Sequence, residues 1–196
     1  MYLKLGRVKI HVSFLFAAFF AAAATGTRGE RLMTVFASAL LHECAHLCFL
    51  LSYGKTGIGL ELRPGGAKIT GGGYETLPYS QGLACAIAGP AVNALIAAGL
   101  FAASRIFCSE RLFYAAAVNA ALAGANLIPL SFLDGGRALM CVLAIKKSRF
   151  VFFRNTKRTD RAIIAVMFVA AAVLTAAGRD AVFLLVFALY CAVQSS

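Results

Sequence analysis

The sequence predicts an all-α polytopic membrane protein: about six transmembrane helices, with a Gly-rich segment between the second and third that is re-entrant and β-like or else a plain loop. Three observations carry this. Of the 196 residues 61% are apolar and 14% charged, whereas soluble domains carry about a quarter charged residues; mean hydropathy is +0.81. The apolar residues gather in runs that suit a hydrocarbon layer about 30 Å thick. The basic residues behind a net charge of +11 lie between these runs, as membrane topology requires. With no aromatic-and-basic module in view, nucleic acid is excluded as a partner and the lipid bilayer is expected. Residues 1–196 read as a single domain.

The spans fall at about 10–25, 31–53, 81–104, 111–128 continuing past a break to about 145, 160–177 and 180–195. Residues 1–25 also fit a secretory signal, with a basic start, an apolar run and "AAAAT"; retention as a span is the preferred reading. Placing the N-terminus inside puts 14 of the 19 basic residues on inner segments, leaving Arg28, Arg31, Arg105, Arg111 and Arg179 outside. Both termini are therefore expected in the cytoplasm. Between spans two and three, "IGLELR" alternates and is followed by Gly65, Gly66, Gly71, Gly72 and Gly73, a strand-like or looped pattern. The run "KKSRFVFFRNTKRTDR", 146 to 161, reads as an anchor for anionic lipid or a dock for an acidic substrate domain. The six cysteines form no paired framework. Cys44 and Cys48 are close enough to the histidines to offer thiolates, but read better as small buried hydrophobes.

Span two contains "HECAH", residues 42 to 46. Side chains four apart project from one face of a helix, so His42 and His46 can reach one tetrahedral ion. Glu43 falls beside that ion, where it can hold water and take its proton. Three ionisable groups in hydrocarbon are costly, so they mark a functional site by default; the competing reading is an interhelical hydrogen-bonded cluster. Catalytic zinc usually takes three protein ligands plus water. The third is sought in "ANLIPLSFLDGGR", 125 to 137, where Pro129 breaks span four and Gly135 and Gly136 follow Asp134. Broken backbone at membrane depth lines a wet cavity or packs in protein. Asp134 is a candidate ligand there, or else a helix cap or a partner of Arg137.

"HECAH", "AGPAVN" (88 to 93) and "NLIPLSFLDGG" (126 to 136) together resemble the site-2 protease family of intramembrane zinc metalloproteases. "KIHVSF" (9 to 14) and the bare six-span layout look most like its sporulation branch, typified by stage IV sporulation protein FB. The resemblance implies one Zn2+ per chain held by His42, His46 and Asp134, with Glu43 as general base and a catalytic core at about 31–145. It also implies that Asn126 or Asn93 lies near the cleft and orients a substrate carbonyl; a cap for Asn126 and an interhelical hydrogen bond for Asn93 are the alternatives. His11 reads as an interfacial polar residue rather than a ligand.

The activity so implied is hydrolysis of membrane-embedded or membrane-tethered proteins near the cytoplasmic face of a bacterial cell membrane. A sporulation pro-sigma factor or similar protein is the implied substrate, and inhibitory membrane proteins are implied partners. The Gly-rich segment would hold the unwound substrate by β-addition. The chain departs from many such proteins in having room for neither a PDZ nor a CBS module, and in carrying Ser131 and Phe132 where prolines are common. From a different class, a metal-binding transport or scaffold protein would use the same ligands without hydrolysis, but it would have no need of Glu43 as a base.

Overall fold

Alternating apolar and polar side chains in "VKIHV" and "IGLELR" suit a pleated, half-buried surface, and both segments are strands. The structure is a computed structural model that describes residues 2–5, 8–12, 29–63, 66–71, 77–146 and 149–195. The chain divides into two compact units, Met1–Asn126 and Leu127–Ser196.

The first unit opens with β1 (Tyr2–Leu5) and β2 (Val8–Val12), then places α1 (Gly29–Ser52) before β3 (Ile58–Arg63) and β4 (Gly66–Gly71). The sheet order is β1-β2-β3-β4, with β2 and β3 parallel and the outer pairs antiparallel. A parallel pair needs a long crossover, and α1 lies within it. Ile58 packs with Leu50 of α1 and with Cys85, and Ile69 and Leu77 lie against that cluster. Gly71 has φ +70, and a Cβ there would sit 2.6 Å from the Gly57 carbonyl oxygen, so only glycine closes this end of the hairpin.

Two further helices are described in this unit: α2 (Tyr79–Ile106) and α3 (Glu110–Asn126). Ser38, His42, His46 and Leu50 form one buried stripe on α1. Gly82, Ala86, Gly89, Asn93 and Ala97 are buried on α2; small residues of this kind let helix backbones approach. Asn119 of α3 donates to Ser38 Oγ and to the Ala115 carbonyl, both at 2.9 Å. Ile87, Leu95 and Phe101 of α2 stay exposed, which suits a hydrocarbon surrounding rather than water.

The second unit holds α4 (Asp134–Ile145), α5 (Arg149–Ala176) and α6 (Val182–Gln194). Its core is Leu130 from the segment preceding α4, Ile164 and Met167 from α5, and Ala188 and Cys191 from α6.

Among the described residues, three helical segments are long and apolar enough to cross a bilayer: Gly29–Ser52, Tyr79–Ile106 and Lys157–Ala176. At 24 residues α1 is about 36 Å long. Span four divides into α3 and α4, as Pro129 predicts, and α6 is a shorter apolar helix. The sequence predicts strand structure only in the Gly-rich segment, and β1 and β2 extend it to the start of the chain. The first expected span begins at about residue 10, but residues 10–12 belong to β2; its remainder, 13–25, lies outside the described residues, as do Gly65, Gly72 and Gly73. Hydropathy registers composition alone, and a short apolar run fits a strand as well as the start of a helix. The Gly-rich segment is a hairpin where it is described, at β3 and β4.

Candidate metal centre

Four residues make just over one helical turn, so α1 stacks His42 and His46 on its buried face, each 5% exposed. Their rings meet edge-on with centroids 4.8 Å apart, and the two Nε2 atoms are 3.2 Å apart. His46 Nδ1 lies 2.7 Å from the Cys85 carbonyl oxygen on α2. A carbonyl only accepts, so Nδ1 carries the proton, and in the neutral ring Nε2 presents a lone pair. Cys85 Sγ reaches back to the His46 carbonyl at 3.8 Å. The two contacts bind His46 to α2 at its ring and its backbone.

The pair passes a test of fit for zinc. Two imidazole nitrogens at 2.0–2.1 Å from a tetrahedral ion lie about 3.3 Å apart, close to the separation here. Nδ1–H bonded to a carbonyl is also the arrangement that fixes a ligating histidine's tautomer.

Gly89 makes the arrangement sterically possible. A Cβ at this position would sit 2.5 Å from His46 Nε2, 2.6 Å from His42 Nε2 and 2.7 Å from His42 Cε1. In the sequence, "AGPAVN" stands out as a motif in which Gly89 has no evident role. The available signal was a glycine inside a helix, which costs about 1 kcal/mol relative to alanine and so implies a compensating need for space.

Glu43 follows His42 on α1 and is half-buried, off the stripe. Cys44 is half-buried and Cys48 exposed, and both are free thiols; neither shares the histidine face. Asn93, one turn beyond Gly89, is 0% exposed. Its amide nitrogen and oxygen have no hydrogen-bond partner among the described residues, so the alternative of an interhelical hydrogen bond is not met here. Asn126 ends α3, and its amide donates to the Leu122 carbonyl at 3.0 Å. His11 lies on β2, opposite Tyr2 and Glu61.

In the second unit Asp134 is buried and is the first residue of α4, while Leu133 holds the N-cap position. Asp134 is therefore inside the helix, where the N-terminal dipole favours a carboxylate. Gly135 and Gly136 face the preceding segment so closely that added Cβ atoms would overlap the carbonyls of Leu127 and Leu130 respectively.

No family model matches the chain. It is 31% identical over 129 residues to Zinc metalloprotease MJ0392 of Methanocaldococcus jannaschii, a match covering 63% of this chain. The chain spans about a third, 36%, of that relative's length. Among solved structures it is similar to a site-2 protease from Methanocaldococcus jannaschii, with a TM-score of 0.65 and 23% identity, covering 100% of this chain and 94% of the other. The chain shares the fold of that site-2 protease.

Proposed function

We propose that this chain is an intramembrane zinc metalloendopeptidase of the site-2 protease family, cutting membrane-embedded or membrane-tethered proteins near the cytoplasmic face. The observation that carries the reading is the buried His42–His46 pair, Nε2 to Nε2 at 3.2 Å, with Glu43 between them in sequence. The likeness to a protein named as a zinc metalloprotease and the shared fold support it. Asp134 is the proposed third ligand, because catalytic zinc wants a third donor and a buried carboxylate in a bilayer wants a cation.

His42, His46 and Asp134 would hold one zinc ion. Zinc held there would supply Lewis acidity, bringing the pKa of a bound water towards 7 and polarising a carbonyl. Glu43 takes the proton from the attacking water and returns it to the leaving amine. Cys85 keeps the His46 ring in the tautomer that presents Nε2. Asn93 or Asn126 orients the scissile carbonyl, Asn93 with an amide that has no partner among the described residues. The finer reading is a multi-pass protein of a bacterial cell membrane with both termini cytoplasmic, acting on a sporulation pro-sigma factor or a similar tethered protein, and held in check by inhibitory membrane partners.

The test is metal content and cleavage measured side by side. Glu43→Gln keeps about one zinc per chain and loses cleavage of a co-expressed tethered substrate by at least ~100-fold, the scale of a lost general base. His42→Ala and Asp134→Ala lose the metal. Normal cleavage by Glu43→Gln removes Glu43 from the mechanism, and full zinc content in Asp134→Ala removes Asp134 from the ligand set.

A further inference from the structure

Asp160 lies within a run of cations, where a surface carboxylate is the expectation, yet it is only 4% exposed. It heads a stripe on α5 that continues through Ile164, Met167 and Ala171, all buried. Its two oxygens divide between two donors of one residue: Oδ1 accepts from the Ser131 backbone N–H at 3.0 Å, and Oδ2 from the Ser131 hydroxyl at 2.5 Å. A carboxylate accepting two bonds from one residue, one to each oxygen, fixes both the position and the rotation of that residue's peptide unit.

Ser131 stands three residues before Asp134. The segment between them has little freedom. Leu130 is fully buried in the α5–α6 core, the Leu133 N–H bonds the Leu130 carbonyl at 2.9 Å, and the Arg137 N–H bonds the Leu133 carbonyl at 3.1 Å. Gly136 lies directly against the Leu130 carbonyl. Leu130 alone would seat the segment by apolar burial, which is non-directional and leaves rotation about the chain axis free. The two bonds to Asp160 remove that rotation. A buried carboxylate is a poor source of stability, since desolvation offsets what its bonds contribute, so its value here lies in orientation.

We infer that Asp160 is a positioning residue: through Ser131 it sets the direction in which Asp134 leaves the first turn of α4 and so prepares that carboxylate to ligate a metal. This rests on the proposed role of Asp134. It also assigns Asp160 a task apart from that of the basic run around it.

The experiment uses the full chain in detergent, with Zn2+ affinity read by chelator competition, the visible spectrum of the Co2+-loaded protein and the thermal unfolding midpoint. Asp160→Ala is expected to weaken Zn2+ binding by about 10-fold or more, the usual effect of losing a group that orients a ligand, and to alter the Co2+ spectrum. Asp160→Asn, which still accepts from the Ser131 N–H and can donate to its hydroxyl, is expected to restore both. Unchanged affinity and spectrum in Asp160→Ala, even with a lowered midpoint, would make Asp160 merely structural and overturn the inference. If Asp160→Ala does not fold, Ser131→Ala decides: a several-fold loss of affinity supports the inference, and none overturns it. Asp134→Ala is the reference. If it keeps Zn2+, the ligand assignment fails whatever Asp160 does; if it loses Zn2+ while Asp160→Ala does not, only the positioning role fails.

Discussion

At the scale of single residues, Gly89 sets two physical effects against each other. Replacing it with alanine should stabilise an isolated helix by about 1 kcal/mol. In the folded chain the new Cβ would fall 2.5 Å from His46 Nε2 and 2.6 Å from His42 Nε2. His46 cannot swing aside without losing its 2.7 Å bond to the Cys85 carbonyl. Sterics therefore win at the site: Gly89→Ala is expected to bind Zn2+ at least ~10-fold more weakly while remaining folded. Chelator competition measures it, and wild-type affinity in this variant would show that the ring pair is not held as described. Gly124, with nothing within 4 Å of an added Cβ, is the control, and alanine there leaves binding unchanged.

Among the elements, the first turn of α4 depends on two glycines that let a non-helical segment lie against it. At Gly136 the overlap is with the Leu130 carbonyl, and Leu130 is itself locked into the α5–α6 core. Neither partner is a flexible side-chain end. Gly136→Ala is expected to cost about 3 kcal/mol, the upper end of overpacking effects, read as a lower unfolding midpoint in mixed detergent. A change below about 0.5 kcal/mol would mean the segment is free to move away. The sequence marked this place through Pro129 and the paired glycines, but not Asp160. Residues 146–161 read locally as a charge run, and burial of Asp160 becomes visible only once α5 is known to start at Arg149 and present 160, 164, 167 and 171 to the core.

For the molecule as a whole, the proposed orientation gives an exposed thiol a definite side. Helix α2 closes with Cys108 in the left-handed region at φ 47 and the Ser109 N–H bonded to the Ser104 carbonyl at 3.2 Å, a Schellman-type end. Cys108 is exposed and stands between Arg105 and Arg111, on the segment assigned outside. A membrane-impermeant maleimide should label Cys108 in spheroplasts and fail to reach it in sealed inverted vesicles. The reverse pattern would invert the topology and move the proposed cleavage to the other face of the membrane.

Much of the helical layout was legible because apolar runs are local. The second and third expected spans, 31–53 and 81–104, lie within two residues of α1 and α2 at each end. The pairing of the sheet was not legible, although "IGLELR" read as strand-like, since β2 pairs in parallel with a strand some 50 residues further along the chain and neither strand records its partner. The sequence by itself determined the donors, because a spacing of four on a helix puts two imidazoles on one face whatever surrounds them. Only the tertiary structure decided how those imidazoles point. A carbonyl on a second helix takes the Nδ1 proton of His46, and a glycine on that same helix leaves the space into which both Nε2 atoms turn.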